Sequence, residues 1–224
     1  MTEMTLRCFA GDVQVKRFDS DNDGAFIATA KRFHWKHDSS KPHDPQSNGL
    51  IESHVILVKD GARSLLYQAG MPAMCWPWAV KYFCHMRNMQ GKHCKAGVDL
   101  ESAYFRRYGT NYDGLRVPFG ALVEFLRTSW FAKDDSGAMS PKTVPGIFIG
   151  YHEDSHGITK DYIVISLSYL YDAKMQPNDR DSWRLTPQRV GRIYFRQDQI
   201  RFPLKAAYDV RRELILQCDV LSGP

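Results

Sequence analysis

Two hydrophobic periodicities, one following the other along the chain, restrict the fold more than any single motif. Ile51, Val55, Val58, Ala62, Leu65, Leu66 and Ala69 recur at three- and four-residue intervals, the spacing that lines up side chains on one face of a helix. Asn48, just ahead of them, is the expected N-cap. Gly70 and Pro72 break the pattern, and Trp76, Ala79, Val80 and Phe83 resume it as one face of a second packed helix. From about 113 to 205 the period changes. The runs "LRVPFGALVEFL", "PGIFIGY", "DYIVISLSYLYDA" and "GRIYFRQDQIRFPL" are short, β-branched or aromatic, and separated by turn formers. Such spacing predicts a small antiparallel barrel or sandwich. The expected fold class is therefore α/β in the first part and mainly β in the second.

Upstream of both, "VQVKRF" at 13–18 alternates apolar and polar residues, as a half-buried strand does, and runs into "DSDNDGAF" at 19–26. Asp19, Asp21, Asp23 and Gly24 match the first half of an EF-hand calcium loop. That loop needs a helix before it and a bidentate Glu at its twelfth position. Here a strand precedes it and the twelfth position is Ala30, so the carboxylates read better as groups delivered by a strand end. The polar stretch from 27 to 47, with "KRFHWKHDSSKPHDPQS", is expected as loop. On the helix that follows, Glu52, Lys59 and Arg63 fall on one stripe at 100° per residue.

Lys and Arg outnumber Asp and Glu by 30 to 25, a net charge of +5 that suits polyanionic partners without dictating them. Five irregularly spaced cysteines, Cys8, Cys75, Cys84, Cys94 and Cys218, argue against a disulfide framework and for an intracellular, reducing setting. The start, "MTEMTLRCFAGDV", lacks the apolar core of a secretory signal, and no run approaches the ~18 apolar residues of a membrane span, so no membrane partner is expected. Cys84, His85, His93 and Cys94 are metal-capable, but their spacing is not that of a zinc site. In the last β run, Arg192 and Arg196 alternate with Ile193 and Phe195, which turns the arginines outward, where phosphate is one partner they could meet.

Three features stand in a fixed order: a strand into "DSDNDGAF", then "PHDPQSNGLIE", then a helix continuing through "ARSLLYQAGMPAMCWPWAV". Together they resemble the integrase region of Copia-type retrotransposon Pol polyproteins, where an S/T-D-N-x-G-x-F motif ends a strand and a P-Q-x-N-G-x-x-E motif opens a helix. "SAYFRRYG", "LRVPFGALVEF" and "PGIFIGYHEDSHG" are similar to the segment that follows the core in the same polyproteins. The resemblance implies a truncated RNase H-like integrase core over 1–95, a connecting segment over 96–112, a small SH3-like β-barrel domain over 113–205 and a C-terminal tail over 206–224. It makes Asp21 and Glu52 the second and third carboxylates of an Asp, Asp, Glu triad. In such a site divalent metals serve both ends of an in-line phosphoryl displacement, and the implied ion is Mg²⁺ or Mn²⁺, with Asp21 and Glu52 as ligands. Asn22 and Gly24 would shape the turn after the strand, and Asn48 and Gly49 the entry to the helix. Lys59, Arg63, Arg189, Arg192, Arg196 and Arg201 are the candidate contacts to nucleic acid. The implied partner is DNA, including cDNA ends, handled by a homo-oligomer or within a longer polyprotein, in the nucleus or a cytoplasmic particle.

Three departures shape the functional expectation. The family's first Asp should lie on an earlier strand, and the twenty residues before Asp21 hold no strand-borne candidate: Asp12 and Asp19 sit on or beside the same strand. The 30 residues between Asp21 and Glu52 form a shorter connection than is usual in the family, and "SHVIL" replaces its basic run after the Glu. This polypeptide alone is therefore expected not to catalyse integration. The alternatives are a non-enzymatic module that binds protein or nucleic acid, and a translated relic.

Overall fold

The structure, a computed structural model, describes residues 15–20, 23–39, 45–90, 92–93, 99–126, 142–154, 159–168 and 186–221. The chain divides into two compact units, Met1–Leu57 with Asp154–Ile158, and Val58–Glu153 with Thr159–Pro224. The division falls inside a helix.

In the first unit, strand β1 (Phe18–Ser20) leads into helix α1 (Gly24–Arg32) and then strand β2 (His37–Ser39). The strands pair in parallel, Phe18 opposite His37, Asp19 opposite Asp38 and Ser20 opposite Ser39. Parallel neighbours need a crossover, and α1 supplies it. The loop expected over 27–47 is thus corrected: a helix and a strand occupy much of it. Asp23 caps α1, its carboxylate accepting the Ala25 N–H at 2.7 Å, and Lys31 and Arg32 sit where the helix dipole favours cations. β2 is only "HDS" and carries no apolar alternation; its ladder with β1 makes it a strand. The strand expected over 13–18 begins its ladder at Phe18, and residues 13 and 14 lie outside the described residues.

Helix α2 (Pro45–Ala69) starts three residues before the expected cap. Proline is pre-set for a first helical position and needs no N–H there, so Asn48 and Gly49 lie within the helix instead of at its entrance. The second unit takes α2 from Val58 on. It adds a 3₁₀ turn (Ala73–Cys75), helix α3 (Trp76–Met89), a two-stranded ladder of β3 (Lys92–His93) with β4 (Asp99–Leu100), and the short helix α4 (Ala103–Tyr108). Strands β5 (Leu122–Leu126), β6 (Thr143–Glu153), β7 (Thr159–Ser166), β8 (Gln188–Val190) and β9 (Ile193–Tyr194) form one antiparallel sheet in the order β8-β7-β6-β5-β9. Among the described residues β8 and β9 do not pair, so the sheet is open there. Helix α5 (Pro203–Leu221) follows.

One hydrophobic core joins these parts: Ala62 and Ala69 of α2, Cys75, Ala79 and Tyr82, the residues Val117, Phe119 and Ala121 ahead of β5, and Val123, Phe125, Ile147, Phe148, Ile149, Val164 and Ile165 of the sheet. Five consecutive buried residues in β6, Gly146 to Gly150, mean that both faces of that strand are covered. The second helix buries part of the expected face, Ala79 in the core and Val80 packed against it, but its buried side extends to other residues. Cys75, Ala79, Tyr82, His85 and Met89 point inward, while Trp76 is 60% exposed. The segment before β5 is buried without being a strand, so its backbone needs other partners. Two tyrosines provide them: Tyr82 donates its hydroxyl to the Val117 carbonyl at 2.8 Å, and the Tyr151 hydroxyl accepts the Val117 N–H and donates to the Leu115 carbonyl, both at 3.0 Å.

The C-terminal residues, expected as a tail, are helical from Pro203, and Leu204 enters the core. The ammonium of Lys205 lies 3.8 Å from the Tyr67 ring centroid and pairs with Asp209 at 2.7 Å, and Arg212 donates to the Tyr67 hydroxyl at 2.9 Å. Gly70, just past α2, has φ +65°, and a Cβ there would stand 2.5 Å from the Lys205 Cα. Only glycine fits both that backbone and that approach.

Candidate acidic site and basic surfaces

The acidic motif is held by a small aromatic cluster. Phe18 packs its ring against Phe26, Trp35 and His37, with centroids 6.0, 5.7 and 5.8 Å away. Ser20 and the His37 ring share a hydrogen bond of 2.8 Å across the β1–β2 ladder. Arg17 binds Asp19 at 2.8 Å and Asp38 at 2.9 Å, so it bridges the two carboxylates that stand opposite each other. Asp19 is thereby committed to a structural pair, and Asp23 to the α1 cap. Sequence inspection missed the Arg17 bridge, although Arg17 and Asp19 are two apart on an extended segment, the spacing that puts side chains on one face.

Asp21 and Asn22 lie outside the described residues. Gly24 opens α1 and is not among the glycines at positive φ. Helix immediately after Asp23, with a strand before the motif, is also not the geometry of a calcium loop. Glu52 is an exposed residue of α2, in the first unit. Among the described residues no three His, Cys, Asp or Glu side chains converge on a metal position. The Glu52 carboxylate is a hard oxygen donor of the kind Mg²⁺ prefers.

The cations fall into two groups. Arg63 pairs with Asp60 one turn away at 2.8 Å, and Arg189 on β8 is clamped through two guanidinium nitrogens to Asp161 of β7. Lys59, Arg192, Arg196 and Arg201 are exposed, and among the described residues none of them is in an ion pair. Alternation around β9 is as expected: Arg192, Tyr194 and Arg196 are exposed, whereas Ile193 and Phe195 pack on the core.

His85, singled out for its metal-capable neighbours, has a different role. It is 7% exposed, and its Nδ1 lies 2.6 Å from Glu153 of β6. The ring packs 4.7 Å from Tyr151 and 6.0 Å from Tyr112, centroid to centroid. The hydrogen bond from His85 holds the Glu153 carboxyl below its ordinary range against the opposing effect of burial. Burial pushes the Tyr151 phenol up to about 12. This is a satisfied polar link between α3 and the sheet.

No family model matches the chain. It is 32% identical over 144 residues to the retrovirus-related Pol polyprotein from transposon RE1 of Arabidopsis thaliana, a match covering 62% of this chain and 9% of that protein. It is 26% identical over 151 residues to the retrovirus-related Pol polyprotein from transposon TNT 1-94 of Nicotiana tabacum, covering 64% of this chain and 11% of that protein. The chain thus spans about a tenth of the length of these relatives. The resemblance to Copia-type Pol polyproteins, first carried by the acidic and Asn-Gly motifs, is borne out by these relatives.

Proposed function

We propose that this relative of transposon Pol polyproteins is an integrase-derived nucleic-acid-binding protein, its first unit drawn from an RNase H-like core and its sheet from an SH3-like domain. The observation that carries this reading is the order in the first unit: a parallel β1–α1–β2 with the acidic motif at the end of β1, followed directly by a helix bearing Glu52. Such an order lets a strand end and a helix deliver separate carboxylates. Asp21 and Glu52 would hold Mg²⁺ or Mn²⁺, and the bound ion would activate the attacking oxygen and stabilise the leaving one. Two carboxylates leave most of an octahedral shell to water, which makes for weak binding. The polypeptide alone is accordingly proposed to bind DNA without catalysing integration, and to need further chain or further copies for chemistry.

Strand transfer onto plasmid DNA by the purified chain, with Mg²⁺ or Mn²⁺, is the test. No products are expected. Products that vanish in Asp21→Asn or Glu52→Gln would show a complete site and overturn the proposed inactivity.

A further inference from the structure

The β9 edge carries a feature that duplex binding does not use. Tyr194 is 58% exposed, and it stands between Arg192 and Arg196, all three on the side away from the core. The register fixes this: Ile193 lies opposite Phe125, which is fully buried, and Tyr194 lies opposite Glu124 on the outer face of β5. Arg192 directly precedes the two-residue strand and Arg196 follows it by two residues, so the exposed ring lies between the two arginines in sequence. Arg201 joins them, because its carbonyl accepts the Leu122 N–H at 2.8 Å and so brings its backbone to the start of β5. The nearby acids are Glu124, which accepts from the Thr143 hydroxyl, and Asp198.

A tyrosine that only needed to be a strand residue would gain by burying its ring. An exposed ring flanked by free guanidinium groups instead offers a stacking surface between two phosphate contacts. Bases inside a duplex are stacked on each other and present no face to such a ring, whereas unpaired bases do. We infer that the Arg192–Tyr194–Arg196 stripe, with Arg201, is a binding surface for single-stranded nucleic acid, with a base stacked on Tyr194. This rests on the nucleic-acid reading above and narrows it to unpaired strands.

The test uses the full chain and a fluorescein-labelled mixed-sequence DNA strand, alone and annealed to its complement, followed by anisotropy at stepped salt. The single strand should bind more tightly than the duplex. Tyr194→Ala should weaken single-strand binding by about 5- to 150-fold with the salt slope unchanged, and Tyr194→Phe should restore it. Arg192→Ala or Arg196→Ala should each lower the slope by about 0.7. Glu124→Gln, which removes the carboxylate opposite the ring, should tighten binding. Binding that is indifferent to Tyr194→Ala, or as weak in Tyr194→Phe as in Tyr194→Ala, would overturn the stacking site while leaving nucleic-acid binding intact. Tyr194-dependent self-association in place of strand binding would assign the stripe to a second copy and overturn the inference. Failure to bind either form of DNA would overturn the broader reading as well.

Discussion

Gly70→Ala tests how the C-terminal helix is held. At φ +65° a side chain costs roughly 1–2 kcal/mol for the left-handed backbone alone. The new Cβ would also meet the Lys205 Cα at 2.5 Å and the Leu204 carbonyl carbon and oxygen at 2.7 Å. These are backbone atoms that cannot rotate away, and such overpacking costs about 1–3 kcal/mol more. The sum, roughly 2–5 kcal/mol, is a large share of the 5–15 kcal/mol typical of a folded domain. Gly109, the α4 cap, is the internal control: its φ is +72°, and a Cβ there has no neighbour within 4 Å. Gly109→Ala should therefore lose only the backbone part, about 1–2 kcal/mol. The entropy that alanine removes from the unfolded chain is common to both variants and cancels in the comparison. Urea unfolding followed by circular dichroism gives both values. A Gly70→Ala loss no larger than that of Gly109→Ala would refute the seating of α5 against the end of α2.

Two further outcomes follow from the His85–Glu153 pair and from Cys75. Because the His85 hydrogen bond lowers the Glu153 pKa from its ordinary 4.5, the stabilisation it gives is fully present above about pH 4.5 and is lost as pH falls through the lower folded value. Glu153→Gln should flatten the acid limb of stability against pH, measured by urea midpoints, and leave the neutral side nearly parallel to the parent. Cys75 has no exposed surface, and burial pushes its thiol up to about 12, so it should be unreactive toward a thiol reagent at neutral pH until the protein unfolds. Labelling of Cys75 in the native state, mapped by peptide mass, would contradict its place in the core.

The order of α/β followed by mainly β structure was legible because α2 keeps helical spacing over seven apolar positions, of which Ile51 and Val55 are nonetheless exposed, and because β6 and β7 are runs of β-branched and aromatic residues. The α1 helix and β2 were not. α1 has nine residues with only Thr29 and Ala30 buried, and β2 is three polar residues fixed by a parallel partner nineteen positions away, which no local pattern encodes. On α3 the sequence pointed correctly to Ala79 and Val80 but not to Trp76, whose exposed ring looks like a core residue, while Tyr82 is buried with a hydroxyl bond to Val117. The C-terminal helix escaped notice because its docking depends on Gly70, Tyr67 and Lys205, which are far apart in sequence. At the acidic motif, sequence could name the carboxylates but not sort them. Asp19 and Asp23, exposed like Glu52, prove to be bound to Arg17 and to the α1 backbone.

The salt dependence of DNA binding tests the proposed function most directly. Arg189 is already neutralised by Asp161, whereas Arg192, Arg196 and Arg201 are exposed. We expect single-strand affinity to fall with salt at a logarithmic slope of about −2, the value for three phosphate contacts. Replacing Arg192, Arg196 and Arg201 together by Ala should bring the slope close to zero, and Arg189→Ala should leave it nearly unchanged. An affinity flat with salt, or a slope untouched by the triple replacement, would contradict a nucleic-acid-binding role for this face.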